Sequence, residues 1–265
     1  MNERSAAFHA LHRAGRPLLL PNAWDHASAA ALAAVGHPAI GTTSLGGAAT
    51  AGLPDGAAAT ATETLALARR LARLPVLLSV DVEAGFSDDP AEVAEYVAEW
   101  AGLGVVGINL EDGRADGTLA DTEVAAAKIV AVKAAVPELF VNARTDTWWL
   151  GVHDPLPQTL ARARAYRVAG ADGIFVPGTA DLATLRVLGE RIDAPVNALY
   201  QPGGPGLAEL GGAGVARVST GSLLFRAALG AALAAADAVR HNGSTIPVGL
   251  PSYAEVQALV PTGGD

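Results

Sequence analysis

The sequence predicts a single α/β domain over residues 1–265, a (β/α)8 barrel of the TIM type, and three observations predict it. Short apolar runs recur at intervals of roughly 25 to 35 residues with helical patterns between them, the rhythm of repeated β-α units. About eight such runs can be found, which is the number a closed barrel needs. The 265 residues are 51% hydrophobic and 17% charged, enough to bury one large core, and no charged linker or shift of composition divides them. A doubly wound open sheet has the same rhythm and is the competing fold. Eight uninterrupted units favour the barrel.

Residues 1–16 form a short amphipathic stretch that reads as an N-terminal helix. Glu3 and Arg4, with no apolar core or small-residue cleavage site, set it apart from a signal peptide and lead us to expect a cytoplasmic chain. The runs that read as strands are 18–20, 39–42, 76–80, 105–110, 139–143, 173–176, 195–198 and 215–218. Asp89-Pro90 opens a helix over 91–101, Asp121 opens one over 122–135, and Asp154-Pro155 precedes one over 158–169. Gly36, Gly102, Gly170 and Gly189 are placed to close helices. The glycine-rich stretches 41–56 and 201–214 read as barrel loops. Residues 223–239 are alanine-rich and interrupted by Arg226 and Asp237, so they predict an amphipathic C-terminal helical tail and no membrane span.

Composition excludes several classes of function. A net charge of −9, with basic residues scattered singly, offers no stripe for nucleic-acid phosphates. There is no cysteine, so disulfides, thiolate metal sites and a cysteine nucleophile are ruled out. The only lysines, Lys128 and Lys133, both fall inside one predicted helix, which makes Schiff-base chemistry at a strand end improbable.

In such barrels chemistry sits at the C-terminal strand ends, and three clusters lie there: Asp81-Val82-Glu83, Glu111-Asp112, and Asn142-Ala143-Arg144-Thr145-Asp146. Side chains two apart on a strand share a face. Asp81 is therefore expected to project with Glu83, Asn109 with Glu111, and Asn142 with Arg144, into one cup. Hard oxygen ligands in excess of positive charge suit Mg²⁺ or Mn²⁺, and Arg144 suits a substrate carboxylate. Strand-end salt bridges and helix caps are the plain alternative, which three clusters on consecutive strands make less economical. Without a lysine, a metal Lewis acid must polarise any carbonyl.

Other signals carry less. Residues 102–107 spell G-x-G-x-x-G but run from a helix into a strand, opposite to the dinucleotide-binding order. Asn242-Gly243-Ser244 is a glycosylation sequon of little meaning in a cytoplasmic chain. His26 and His153 are the only histidines placed near strand ends. Trp148-Trp149 reads either as ordinary packing or as a wall of the site or of an oligomer interface.

Taken together, Asp81-Val82-Glu83-Ala84-Gly85-Phe86, Asn109-Leu110-Glu111-Asp112, Asn142-Ala143-Arg144-Thr145-Asp146, Pro21-Asn22-Ala23-Trp24-Asp25 and Arg217-Val218-Ser219-Thr220-Gly221 resemble the isocitrate lyase and phosphoenolpyruvate mutase superfamily. The resemblance spans residues 21–233. It implies a barrel whose eighth helix is often exchanged within a homodimer or homotetramer. It also implies a Mg²⁺-dependent lyase or decarboxylase that acts on a small 2-oxo or 2-hydroxy di- or tricarboxylate through a metal-bound enolate. By the same resemblance Asp81, Glu83 and Glu111 hold the metal, Glu111 and Arg144 take part in catalysis, and Arg144 binds the substrate carboxylate. Asp81, Thr43, Ser44 and Asn197 contact substrate. Asp55 matches an aspartate near the reacting end, or is simply a turn residue after Pro54.

The chain also departs from the superfamily. Where isocitrate and methylisocitrate lyases carry a K-[KR]-C-G-H loop, residues 113–119 read Gly-Arg-Ala-Asp-Gly-Thr-Leu, and the lysine, asparagine and serine loop of the phosphonopyruvate-processing members is missing too. Two alternatives stay open: C–P mutase or hydrolase chemistry on phosphoenolpyruvate or phosphonopyruvate, and a weakly catalytic protein that binds a 2-oxo acid such as 2-oxoglutarate or oxaloacetate.

Overall fold

Parallel strands covered by helices are buried on both faces and need near-continuous apolar runs, and every predicted run forms a strand. The computed structural model describes residues 2–241 and 249–260. The strands are β1 (Leu18–Leu20), β2 (Asn22–Ala23), β3 (Ala39–Thr42), β4 (Leu77–Asp81), β5 (Gly107–Glu111), β6 (Phe140–Arg144), β7 (Gly173–Val176), β8 (Val196–Leu199) and β9 (Val215–Ser219). The helices are α1 (Glu3–Ala10), α2 (His26–Ala34), α3 (Ser44–Ala51), α4 (Ala61–Leu71), α5 (Pro90–Gly102), α6 (Thr122–Ala135), α7 (Pro155–Val168), α8 (Leu182–Arg191), α9 (Leu207–Gly212), α10 (Leu223–Arg240) and α11 (Tyr253–Gln257).

The sheet order β1-β9-β8-β7-β6-β5-β4-β3-β2 is parallel throughout. The predicted run 18–20 forms β1 unbroken, and the additional strand is β2, where the chain pairs again just past Pro21, which has no N–H to give a ladder. β1 pairs with β9 and β2 with β3, so residues 18–23 join both edges and close the ring. Asn22 secures this seam. Its Nδ2 donates to Thr42 O at 2.6 Å, and its Oδ1 accepts from the Thr220 and Gly221 amides, each at 2.9 Å.

The N-terminal end of the barrel is plugged by α1. Phe8 is fully buried and packs edge-on against Phe140, while His12 stacks on that ring at 4.0 Å between centroids. Burial, with Arg217 nearby, lowers the His12 pKa to about 3, so its imidazole is neutral where it meets the core.

Three expectations need correction. Gly189 does not close a helix but lies inside α8, where a Cβ would come within 3.1 Å of Ala213 O and 3.2 Å of Gly214 Cα. Its role is close packing of α8 on the turn before β9. Gly102 is the last residue of α5, and Gly104, at φ +95°, makes the left-handed turn. The two glycine-rich stretches are not plain loops, because they contain α3 and α9. Tight packing outweighs low helix propensity there: a Cβ on Gly46 would meet Trp24 and one on Gly211 would meet Pro17, each at 2.8 Å.

The predicted C-terminal tail is α10. Only Phe225 along it is buried, and Leu229, Leu233 and Val239 are 49%, 72% and 68% exposed. No helix among the described residues is long and apolar enough to cross a membrane. The sequon at Asn242 lies outside the described residues.

Candidate active site

The C-terminal strand ends surround a cavity of about 740 Å³ whose lining includes Thr43, Ser44, Asp55, Asp81, Asn109, Glu111, Arg144 and Asp146. Strand parity brings them together: Asp81 ends β4, Glu111 ends β5 and Arg144 ends β6, with Glu111 in register with Arg144. Arg144 is the centre of the cluster. Its Nη1 lies 2.7 Å from Glu111 Oε2, its Nε donates to Asp146 Oδ1 at 2.7 Å, and its guanidinium carbon sits 5.8 Å from the Trp149 ring and 5.7 Å from Phe175. Two acids and two aromatic faces fix this cation in place. Nη2 has no protein partner among the described residues.

Asp81 is placed differently. Its amide donates to Thr42 Oγ1 at 2.8 Å, but its carboxylate receives only two long contacts, from the Ser44 and Glu83 amides at 3.4 Å each. Burial pushes its pKa up, reinforced by Asp55 and opposed by Arg144. Burial also pushes Glu111 up, to about 8, because Asp81, Asp146 and Glu83 add repulsion that the Arg144 pair does not fully offset. Asp146 is raised for the same leading reason. Burial works against the charge of Arg144, yet Glu111, Asp146 and Asp81 outweigh it and raise its pKa. The result is a guanidinium held charged among acids that are costly to ionise together.

Two predicted site residues lie elsewhere. Glu83 was expected to share a face with Asp81, but the strand ends at Asp81 and Glu83 takes a left-handed φ of +50°, which breaks the alternation. Its side chain turns to the segment that follows Asp55, where Oε1 accepts from Thr60 Oγ1 at 2.5 Å and Oε2 from the Ala58 amide at 3.1 Å. It braces the loop that carries Asp55 to the cavity wall. Asn197 is 1% exposed and is not among the residues that line the cavity, its Nδ2 donating to Ser219 Oγ at 3.0 Å.

No group of three His, Asp or Glu side chains among the described residues is assembled to hold an ion directly, so the expected three-carboxylate set is not preformed. Mg²⁺ does not require one, since it typically takes one or two carboxylates and completes its shell with water and substrate oxygens. Asp81, with no short hydrogen bond to its carboxylate, and Glu111, whose Oε1 is uncommitted, fit that pattern.

Two residues read from the sequence only as parts of motifs, Arg217 and Asp112, support the cavity from below and behind its lining. Arg217 fills the barrel beneath the cavity, its Nη2 donating to Asn109 Oδ1 at 3.0 Å and its Nε to Ser219 Oγ at 3.2 Å, with Nη1 unpartnered. Burial lowers its pKa to about 9. Asp112 points away from the cavity, as parity with Glu111 implies. Its Oδ1 accepts from the Asp146 amide at 2.9 Å, and its Oδ2 from Tyr166 Oη at 2.7 Å and Arg162 Nη1 at 3.0 Å. This bridge from α7 fixes Asp146 and through it Arg144. Tyr166→Phe is expected to lower the unfolding free energy by about 1–3 kcal/mol; an unchanged urea midpoint would show that the bridge does not brace the site. Of the tryptophan pair, Trp149 walls the cavity while Trp148 packs against the core.

The loop after β5 is a small hairpin. Gly113 pairs with Leu119, Arg114 N donates to Thr118 O at 2.9 Å, and Asp116 Oδ1 accepts from the Thr118 amide and hydroxyl at 2.9 and 2.6 Å. A Cβ on Gly113 would run into Asp146 Oδ2, so the glycine lets the hairpin start against the cluster. His26 contacts Leu259 O at 3.2 Å, and the His153 carbonyl accepts from Gln158. Neither histidine lines the cavity.

Residues 8–240 match the sequence profile of the phosphoenolpyruvate phosphomutase family. The Mycobacterium tuberculosis protein Rv1998c is 50% identical over 95% of each chain. The 2-methylisocitrate lyase of Halalkalibacterium halodurans is 31% identical over 73% of this chain and 66% of the lyase. Among solved structures, a putative phosphonomutase from Burkholderia cenocepacia superposes with a TM-score of 0.86 at 40% identity, covering 89% of this chain and all of that one.

Proposed function

Because the chain belongs to the phosphoenolpyruvate phosphomutase family, within the isocitrate lyase and phosphoenolpyruvate mutase superfamily of lyases and mutases, we propose that it is a Mg²⁺-dependent lyase or decarboxylase of a small 2-oxo or 2-hydroxy di- or tricarboxylate. The observation that carries this reading is the placing of Asp81, Glu111 and Arg144 on three consecutive strand ends of one cavity. Asp81 and Glu111 would hold Mg²⁺, which when bound would supply Lewis-acid chemistry beside the substrate's oxo group. Arg144, fixed by Glu111 and Asp146, offers Nη2 to the substrate carboxylate. Thr43 and Ser44 begin α3 at the cavity wall, and the positive end of that helix favours the same anion. Trp149 and Phe175 exclude water from the guanidinium faces.

The hairpin 113–119 offers no cysteine, histidine or lysine to protonate a leaving carbanion. Loss of CO₂ from an oxaloacetate-like acid needs no such acid, because the bond electrons pass to the oxo group as an enolate. A steady-state panel of oxaloacetate, methylisocitrate, isocitrate and phosphonopyruvate with Mg²⁺ tests this, read as pyruvate, glyoxylate or phosphate release. Phosphate release from phosphonopyruvate alone favours C–P chemistry, a second reading that the family profile and the phosphonomutase likeness support. Oxo-acid binding without turnover of any of the four favours a binding protein.

The raised carboxylates give a pH signature. Glu111, raised from 4.5 to about 8, keeps in the native protein a proton that the unfolded chain has lost. His12, lowered from 6.5 to about 3, acts the opposite way up to about pH 6.5, so the native protein holds its proton excess from Glu111 unopposed by His12 between about pH 6.5 and 8. Its stability therefore falls as pH rises through that window. A cation held by ionised carboxylates offsets the fall, while protons compete with it at low pH. Added MgCl₂ is expected to raise Tm more at about pH 8.5 than at about pH 6; the reverse order would contradict carboxylate ligation.

For assembly we propose a homodimer or homotetramer that covers the exposed apolar residues Leu229 and Leu233 of α10, in keeping with helix exchange. Light scattering that returns a monomer at micromolar concentration would exclude it.

A further inference from the structure

We infer that Arg114 binds the terminal anionic group of the substrate, the end remote from the oxo acid, and so selects dianionic over monoanionic 2-oxo acids. This rests on the oxo-acid reading of the cavity and deepens it. The inner charge of the cavity is already accounted for, since Arg144 is matched by Glu111 and Asp146 and its open Nη2 meets one substrate carboxylate. Two other arginines line the cavity, Arg114 and Arg226. Neither makes an ion pair or a side-chain hydrogen bond among the described residues. A guanidinium left without a partner beside a group of acids contributes little to folding, and it is a ready receptor for a carboxylate or phosphonate.

The choice between the two follows from where each is anchored. Arg114 follows Glu111 by three residues, and its backbone is pinned on both sides, N–H to Thr118 O at 2.9 Å and carbonyl from the Gly117 amide at 3.0 Å. The hairpin's own acid, Asp116, is committed to Thr118 through Oδ1 and acts on Arg114 as a nearby charge without a close ion pair. Arg114 therefore lines the cavity from the loop that directly follows Glu111. Arg226 lies on α10, after β9, the strand that faces β5 across the ring. Nothing in the fold requires arginine at position 114. The side chain is exposed at a hairpin corner, and the Cβ-excluding contact there belongs to Gly113.

Calorimetric titration with Mg²⁺ present tests this, using 2-oxoglutarate and 2-oxovalerate, which have the same chain length and differ in one terminal carboxylate. Wild-type protein is expected to prefer 2-oxoglutarate. Arg114→Gln is expected to weaken 2-oxoglutarate about 10- to 100-fold and to leave 2-oxovalerate unchanged, with Arg114→Lys between the two proteins. 3-Phosphonopyruvate in the same series distinguishes a phosphonate from a carboxylate as the terminal group, and a selective loss of either ligand in Arg114→Gln supports the subsite. Equal binding of 2-oxoglutarate and 2-oxovalerate by wild type, or a selective loss in Arg226→Gln in place of Arg114→Gln, overturns the subsite while leaving the oxo-acid reading intact. Absence of all Mg²⁺-dependent binding overturns the oxo-acid reading itself.

Discussion

Replacing Arg144 by methionine is expected to abolish turnover, by at least about 10³-fold, and to destabilise the fold by about 3–5 kcal/mol. Both effects come from one geometry. The guanidinium neutralises Glu111 at 2.7 Å and Asp146 at 2.7 Å, and its loss leaves two buried acids facing Asp81. Those acids can respond by taking up protons, so the stability loss is expected to shrink as pH falls toward 5 and to grow above pH 8. The double variant Arg144→Met with Glu111→Gln removes the uncompensated charge and should recover part of the stability. It should recover none of the turnover, because the substrate carboxylate still lacks its partner. Urea unfolding and steady-state rates on the same preparations separate the two roles; wild-type turnover in Arg144→Met would remove Arg144 from the site.

Asp81→Ala is expected to do the opposite to stability. Its carboxylate is held up in pKa chiefly by burial and accepts only contacts of 3.4 Å, so ionising it costs the metal-free fold free energy. The variant should melt no lower than wild type without Mg²⁺, and its Tm should no longer respond to Mg²⁺. Turnover should fall by at least about 10³-fold, the several kcal/mol a Lewis acid contributes. A site residue that is costly to stability and essential to activity is the pattern expected of preorganised charge. Unchanged Mg²⁺ dependence in Asp81→Ala would sink the assignment of the metal to this carboxylate.

Much of this was legible in the sequence because barrel geometry ties position to role. Apolar runs at regular spacing marked every strand but the two-residue β2, and parity alone brought Asp81, Glu111 and Arg144 to one cavity. Parity failed at Glu83, two residues later, because the strand had already ended and a left-handed residue turned the side chain toward Ala58 and Thr60. Asn197 lies on a strand as the sequence predicts, but it is 1% exposed and its amide is committed to Ser219, which sequence spacing does not report. The Asp112 bridge to Tyr166 and Arg162 spans 54 and 50 residues, and no local pattern reports a partner at that distance. The short β2 carries no apolar run to report it, and the Asn22 side chain that secures it at the seam finds its partners nearly 200 residues away.

Oxalate has the planar shape and paired oxygens of a pyruvate enolate, so its titration calorimetry tests most directly whether this cavity is built for one. Oxalate is expected to bind wild-type protein only when Mg²⁺ is present, and to lose that binding in both Asp81→Ala and Arg144→Met. Binding of equal strength without Mg²⁺, or binding that survives both substitutions, would contradict an enolate site built on Asp81, Glu111 and Arg144.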